Sequence, residues 1–319
     1  MEKKFYWSYM INLSEHMWAD ETTPPKGWYL APKYKENNET DLEVWDETVK
    51  HLANRKFNLL LIDVGDGVKY ESHPEISAPD AWEKDFLKKK LDEARALGLT
   101  PIPKLNFSTG HDTWLKKYRR MISTPEYYKV CADLIKEVCE LFGNPELFHL
   151  GFDEEDAKTQ AHNEMIIVRG ERLWFHDLNL LAAECAHYGA RPWIWSDYIW
   201  DHKESFLKYM SKDIMQSNWY YQPFMDSFPG ASYPFREWID AYELLDKNGF
   251  DQIPTCSAWV NNINIMQTLG YCKDKLSTEH LSGIMVAPWL HTVRFNAHDL
   301  LRNADQFYFA RTEHYPETL

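Results

Sequence analysis

Short apolar runs alternate with longer amphipathic runs along the chain, and this pair of patterns recurs eight times. The short runs have the length of buried strands, and the longer runs repeat apolar residues at the spacing of one helix face. The pattern predicts strands over 5–13, 58–64, 100–106, 147–152, 191–197, 213–219, 253–259 and 283–289. It predicts helices near 41–55, 82–97, 125–142, 169–188, 201–210, 234–248, 262–276 and 296–311. Eight strand–helix units favour an α/β fold, a closed (β/α)8 TIM barrel, over an open sheet.

The length of 319 residues suits one complete barrel, and no linker or low-complexity tract divides the chain. We therefore predict a single barrel domain over residues 1–319. Two long irregular stretches, 14–40 and 220–233, contain prolines and follow the first and sixth predicted strands. Because the loops after barrel strands lie on the face that carries active sites, these two loops are predicted to border the site.

Composition narrows the range of partners. The formal net charge of −14 disfavours binding to nucleic acid or to anionic membrane surfaces, and no apolar run is long enough to span a bilayer. The start of the sequence does not read as a secretory signal, so we expect a cytoplasmic protein. The five cysteines form no CxxC motif and are expected to be free thiols. We predict no cofactor and no metal, and the oligomeric state stays open.

Polar and aromatic side chains cluster where the predicted strands end, on the face where barrel enzymes build their sites. The residues there are Asp63, Asp66, Asn106, His111, His149, Asp153, Glu154, Trp195, Asp197, Trp219, Tyr221, Trp259, Asn261, Asn262, Trp289 and His291. Sugars present hydroxyl groups to carboxylates and amides, and flat C–H faces to aromatic rings. A ring of carboxylates and indoles therefore indicates a carbohydrate site.

Asp153 and Glu154 are adjacent at the end of the fourth predicted strand. Two like charges held close together raise the pKa of one carboxyl, and partial burial raises it further. A protonated Glu154 could then donate to a glycosidic oxygen while Asp153 stays ionised. The alternative is a solvated acidic loop, because Glu155 and Asp156 follow directly.

Other strand-end residues also have structural interpretations. Asp66 suits a turn cap as well as a site. His111 and His149 could each be structural histidines, and a single Trp is more often core than a pocket wall. Four indoles at strand ends, however, favour a pocket.

The segment at the end of the fourth predicted strand reads His149-Leu150-Gly151-Phe152-Asp153-Glu154. Further segments, in chain order, read Phe57-Asn58-Leu59-Leu60 through Asp66-Gly67, His73-Pro74-Glu75, Ile102-Pro103-Lys104-Leu105-Asn106, Gly110-His111, Gln216-x-Asn218-Trp219 and Ala287-Pro288-Trp289. In order and spacing, these segments resemble the family 20 glycoside hydrolases, the β-N-acetylhexosaminidases, whose strand-four signature is His-x-Gly-Gly-Asp-Glu. The resemblance covers roughly residues 57–290.

The resemblance implies a mechanism. Enzymes of this family cleave terminal β-linked N-acetylhexosamines with retention, and the substrate's own 2-acetamido oxygen is the nucleophile. Carried over, Glu154 is the general acid and then the base, and Asp153 orients the acetamido N–H. The predicted substrate-binding residues are Asp66, His111, His149, Trp195, Trp219, Tyr221, Trp259 and Trp289.

Several positions depart from the family pattern. Phe152 replaces the second signature glycine, and Lys104 and Asn106 replace two acids. The first strand lacks the family's arginine, the seventh lacks its tyrosine, and His291 stands where a glutamate is expected. Alternatives are therefore a glycosidase for a different terminal sugar, a non-catalytic sugar-binding barrel, or a metal-dependent hydrolase built from His111, His149 and strand-end aspartates.

Overall fold

The structure is a computed structural model that describes residues 4–17, 35–163, 165–225 and 235–319. The strands are β1 (Tyr6–Asn12), β2 (Leu59–Asp63), β3 (Thr100–Lys104), β4 (Leu147–His149), β5 (Arg191–Trp195), β6 (Met215–Ser217), β7 (Thr255–Cys256) and β8 (Gly283–Val286). Neighbouring strands run parallel in the order β6-β5-β4-β3-β2-β1-β8-β7. Parallel bridges from Gln216 to Gln252 and from Trp219 to Thr255 join β6 to β7. The sheet therefore closes on itself, and the predicted (β/α)8 barrel is confirmed.

Helices follow the strands around the barrel. They are α1 (Leu42–Asn54), α2 (Lys84–Ala96), α3 (Pro125–Leu141), α4 (Glu171–His187), α5 (Tyr198–Asp201), α6 (Lys203–Tyr209), α7 (Arg236–Lys247), α8 (Asn264–Lys275) and α9 (Ala297–His314). The helix predicted near 201–210 corresponds to α6, and the short helix α5, which was not predicted, precedes it. Among the described helices, none has the length and apolar character needed to cross a bilayer.

The two long loops predicted from the sequence are described only in part. Residues 18–34 of the first loop and 226–233 of the second lie outside the described residues. The described beginning of the first loop, 14–17, is buried against the barrel.

Several strands are shorter than the sequence predicts, and β7 shows why. The prediction covered 253–259, whereas β7 spans only Thr255–Cys256. Beyond it, the backbone N–H of Ser257 donates to Asn264 Oδ1 at 3.0 Å, and that of Ala258 donates to Asn303 Oδ1 at 3.2 Å. Side chains thus take over the hydrogen bonds of the neighbouring strand, and apolar sequence alone does not reveal this exchange.

The barrel interior changes from apolar to polar along its axis. One interior cluster contains Met10, Leu61 and Ile102, which are paired in register across β1, β2 and β3. Because side chains alternate along a strand, Asp63 and Lys104 lie two residues further on the same face, towards the carboxyl ends. Their carboxylate and ammonium groups form an ion pair with both side chains at most 2% exposed. This pair forms the floor beneath the site.

We expect Lys104→Met to lower the free energy of unfolding by about 3–5 kcal/mol, because it leaves the buried Asp63 without its counter-charge. Burial already raises the pKa of Asp63 and the charge of Lys104 opposes this rise. The loss should therefore be smaller at acidic pH, where protonation of the unpaired Asp63 removes the uncompensated charge. Urea unfolding at pH 5 and pH 8 measures both effects.

The control is the double variant Lys104→Met, Asp63→Leu, which removes both charges and should recover part of the loss. Equal destabilisation of the single and double variants would contradict the role of the ion pair.

Candidate active site

The carboxyl groups of Asp153 and Glu154, called the acid pair below, lie on the irregular segment after β4 and meet at one histidine. His111 Nε2 lies 2.9 Å from Glu154 Oε2 and 3.4 Å from Asp153 Oδ2. Consecutive residues of an extended chain point to opposite sides. The backbone must therefore change direction for both carboxyl groups to reach the same nitrogen.

That change of direction uses left-handed backbone conformations. Gly151 has φ of 77°, Phe152 of 69° and Glu154 of 52°. Such values cost roughly 1–2 kcal/mol for a residue with a side chain, and they persist where the surroundings hold them in place. At Gly151 a side chain is also excluded by space, since a Cβ atom would lie 1.9 Å from Asn106 Oδ1.

The loop after β3 holds Asp153 in position. Asn106 Nδ2 donates to Asp153 Oδ1 at 3.0 Å, while Asn106 Oδ1 accepts from the backbone N–H of Ser108 at 3.0 Å. The Ser108 hydroxyl donates to the backbone carbonyl of Asp153. Each oxygen of Asp153 therefore has one donor nearby, Asn106 or His111, and retains capacity to accept another hydrogen bond.

His111 is a cation at neutral pH. Burial alone would lower its pKa, but the charge of Asp153 and the hydrogen bond to Glu154 outweigh burial and raise the pKa to about 9. Its Nε2–H then donates to the acid pair. Its Nδ1 is buried and has no hydrogen-bond partner among the described residues.

A third carboxyl group, that of Asp197 two residues after β5, also contacts this segment. Its Oδ2 accepts the backbone N–H of Glu154 at 2.8 Å, and its Oδ1 lies 3.4 Å from Trp219 Nε1. Burial, reinforced by the charge of Asp153, raises the pKa of Asp197 well above its usual range. Asp197 was among the strand-end residues in the sequence but was not predicted as a site residue.

Four of the predicted aromatic residues form a continuous wall beside the acid pair: Trp195, Trp219, Tyr221 and Trp289, called the aromatic wall below. The rings of Trp195 and Trp289 are 5.6 Å apart, and those of Tyr221 and Trp289 are 6.3 Å apart. Trp219 stacks on Tyr221 at 5.1 Å with an interplanar angle of 20°. Since Trp219 also contacts Asp197, the wall and the acid pair belong to one contact network.

A buried ionic cluster lies behind the acid pair. Arg169 Nη2 pairs with Glu155 Oε1 at 2.9 Å and donates to the Phe107 carbonyl at 2.6 Å, and Arg169 Nη1 pairs with Asp177 Oδ2 at 3.3 Å. The side chain of Glu155 is 1% exposed, so it does not belong to a solvated acidic loop, and burial raises its pKa to about 7. No sequence motif marked Arg169, whose partners Glu155, Asp177 and Phe107 come from three different segments.

Phe152, at the position where the signature of the resembling family has a glycine, packs into this cluster. Its ring lies 4.7 Å beneath the guanidinium of Arg169 and 5.5 Å from the ring of Trp174 on α4. The ring fills the layer between barrel and helices, so the substitution adds core packing at this position.

Three other predicted substrate-binding residues have different surroundings. The Asp66 carboxylate is fully buried and contacts Ser14 Oγ at 2.7 Å, His16 Nδ1 at 2.6 Å and Lys116 Nζ at 2.8 Å. His149 is also fully buried, and its Nδ1 accepts the backbone N–H of Gly151 at 3.0 Å. Trp259, by contrast, is 56% exposed. None of these three contacts the acid pair in the structure as described.

The only metal-type cluster found among the described residues is His111 with the acid pair, whose ligand atoms lie within 4.8 Å of one another. A metal ion here would need the His111 nitrogen unprotonated, whereas the neighbouring carboxyl groups by themselves raise the pKa of His111. His149, part of the metal set considered from the sequence, is not in this cluster. As described, the three groups form a hydrogen-bonded ion pair.

Solved structures share this fold. A family 20 exo-β-N-acetylglucosaminidase from Vibrio harveyi, solved with N-acetylglucosamine, is 13% identical, with a TM-score of 0.61 over 99% of this chain and 57% of its own. The chitobiase of Flavobacterium johnsoniae is 16% identical, with a TM-score of 0.59 over 98% of this chain and 53% of its own. Dispersin B is 12% identical, with a TM-score of 0.60 over 98% of this chain and 99% of its own.

This chain thus spans just over half the length of the first two of these proteins. No protein-family model and no curated protein matches the sequence. At these identities the likeness establishes a shared barrel fold.

We expect His111→Gln to destabilise the protein in a pH-dependent manner. The folded pKa of about 9 lies above the ordinary value of 6.5, so the stabilisation is complete below pH 6.5 and is lost as pH rises through 9. The stability difference between the two proteins should shrink by about 3 kcal/mol over this range. Glutamine can still donate a hydrogen bond, so the test isolates the charge.

Urea unfolding at pH 6, 7.5 and 9 measures this difference, and His187→Gln, at the exposed end of α4, is the matched control. A difference that stays constant with pH would refute the assignment of a charged His111.

Proposed function

We propose that this protein is a glycoside hydrolase that cleaves a terminal β-linked sugar with retention, in the manner of the family 20 β-N-acetylhexosaminidases. Glu154 is the acid and then the base, and Asp153 orients the 2-acetamido group of the substrate. The acid pair beside His111 is the observation that carries the proposal. The shared fold with enzymes of this family supports it.

The short separation within the acid pair argues against an inverting mechanism. An inverting glycosidase keeps its two carboxyl groups roughly 6.5–9.5 Å apart, so that a water molecule fits between them and the sugar. Here the ligand oxygens of Asp153 and Glu154 lie within 4.8 Å of each other. Two carboxyl groups this close suit a reaction in which one transfers protons and the other stabilises a substrate-derived nucleophile.

In the proposed reaction, the acetamido carbonyl oxygen attacks the anomeric carbon, and the bond to the leaving-group oxygen breaks as Glu154 donates its proton to that oxygen. Asp153 accepts the acetamido N–H and balances the positive charge of the cyclic oxazolinium intermediate. Water then attacks the anomeric carbon, and its proton passes to Glu154. The bond from the acetamido oxygen to the anomeric carbon breaks, so the oxazolinium ring opens and the β-sugar is released. His111 donates to the acid pair and, once Glu154 has given up its proton, limits the repulsion between the two carboxylates.

The difference in exposure within the acid pair fits this division of roles. The Glu154 side chain is 31% exposed, whereas that of Asp153 is 9% exposed and is held by Asn106. The more open carboxyl can reach a leaving group at the mouth of the site, and the enclosed one can grip a group inside it. Trp219 and Trp289 of the aromatic wall are partly exposed and offer ring faces to the sugar's C–H groups.

We expect Glu154→Gln to reduce kcat/KM for an aryl β-N-acetylglucosaminide by roughly 10²–10⁴-fold, because the amide cannot transfer the proton. The loss should be larger for a poor leaving group than for 4-nitrophenol, which departs with little help from an acid. Steady-state kinetics with both substrates measure the two losses. Asp156→Asn is the matched control, since Asp156 is an exposed acid two residues away.

A second candidate function is a glycosidase for a different terminal sugar. It is motivated by the floor of the site, where Lys104 stands at the position of a family acid and pairs with Asp63. Matched aryl β-glucosides and β-N-acetylglucosaminides distinguish a substrate-assisted enzyme, which needs the N-acetyl group, from a glycosidase that does not. Undiminished turnover by Glu154→Gln would refute its role as the acid. Sugar binding without turnover across the panel would instead support a non-catalytic barrel.

A further inference from the structure

Asp197 begins the short helix α5 but does not cap it. Aspartate is a preferred N-cap residue, whose carboxylate usually accepts a backbone N–H of the helix that follows. Here the Asp197 side chain makes no capping hydrogen bond. It is 8% exposed and turns towards the segment after β4. The carboxyl group therefore bonds to the segment after β4 instead of capping its own helix.

One oxygen of Asp197 fixes the backbone of Glu154. The Glu154 N–H donates to Oδ2 at 2.8 Å, and Glu154 has the left-handed φ of 52° that turns its side chain towards His111. A strained conformation persists only where surrounding contacts determine it. Buried carboxyl groups are strong acceptors for backbone N–H groups, so this bond opposes relaxation of the Glu154 backbone.

The other oxygen faces the aromatic wall. Trp219 Nε1 lies 3.4 Å from Asp197 Oδ1, and the Trp219 ring stacks on Tyr221. Trp200, three residues after Asp197 on α5, packs edge-on against Trp219 with ring centroids 4.7 Å apart. The segment that begins α5 therefore supports the indole at its polar end and along its ring.

We propose that Asp197 is a positioning residue that fixes Glu154, the acid, relative to the aromatic wall. One of its carboxyl oxygens holds the Glu154 backbone, and the other holds the Trp219 indole. It acts through these residues and does not itself touch the reacting atoms. The proposal rests on the proposed function in one respect: the geometry matters for catalysis because Glu154 is the acid.

Asparagine at position 197 separates the two contacts. Its single amide oxygen can accept the Glu154 N–H, but its NH2 group then faces the Trp219 N–H, and two donors oppose each other. We expect Asp197→Asn to lower kcat/KM roughly 10- to 100-fold, the size of loss that a displacement of about 1 Å can cause. A rise in KM should contribute, because the displaced indole belongs to the binding wall. Asp201→Asn, on the exposed side of the same helix, should match the wild-type protein.

Removing the opposing donor should rescue the activity. Trp219→Phe keeps an aromatic face and deletes the N–H, so Asp197→Asn with Trp219→Phe should recover most of the kcat that Asp197→Asn loses. In Asp197→Ala, which lacks both acceptors, Trp219→Phe should give no recovery. If the double variant is as impaired as the product of the single variants, the two-sided contact is refuted.

A readout without turnover keeps this test separate from the proposed function. In protein labelled with ¹⁵N-glutamate, the Glu154 amide signal is the one that Glu154→Gln removes. We expect this signal to persist in place in Asp197→Asn and to move upfield in Asp197→Ala, where the acceptor is lost. A signal that does not move in Asp197→Ala overturns the proposal, even if the enzyme is fully active. A protein that cleaves no glycoside, but whose amide signal depends on Asp197, would refute the function and leave the positioning contact intact.

Discussion

The site depends on one backbone constraint, the turn that brings two consecutive carboxyl groups to the same side of the chain. In an extended strand Asp153 and Glu154 would point in opposite directions. Left-handed φ values at Gly151, Phe152 and Glu154 reverse this, and His111 then contacts both carboxyl groups. Such a turn is unfavourable by itself, so contacts from neighbouring elements must maintain it. Most of the unusual contacts in this protein can be understood as that support.

Part of this support comes from cations in three layers: beside, beneath and behind the acid pair. His111 offsets the acid pair directly, Lys104 pairs with Asp63 beneath it, and Arg169 pairs with buried acids behind it. Each cation lies beside carboxylates that would otherwise be buried without a counter-charge, which is costly in a low-dielectric interior. Asp197 instead contacts two neutral donors, the Glu154 N–H and the Trp219 indole, and burial and the charge of Asp153 raise its pKa. The acidic groups of the site are therefore offset either by a neighbouring cation or by hydrogen-bond donors.

The sequence predicted the barrel because burial imposes a local period, and every strand–helix unit repeats it. It also predicted which strand ends carry polar groups, since the carboxyl ends of parallel strands share one face. The acid pair and the aromatic wall follow from this rule. Roles that depend on contacts between distant segments did not: Asp197 meets Glu154 across 43 positions, and Arg169 meets Phe107 across 62. Trp259 shows the same limit, because strand-end position does not determine exposure.

The departures from the family signature acquire a physical meaning once these layers are distinguished. Phe152 adds its ring to the packing beneath Arg169, and Lys104 neutralises Asp63 in the floor. Both substitutions therefore lie behind or below the acid pair, and each is matched by a partner of complementary chemistry. Because each changed residue has a matching partner, the acid pair keeps its position. The residues that recognise the sugar can then change without moving the reacting groups. Under the proposed function, the residues that carry out the reaction and the residues that determine the preferred sugar are different, and the two sets can vary separately.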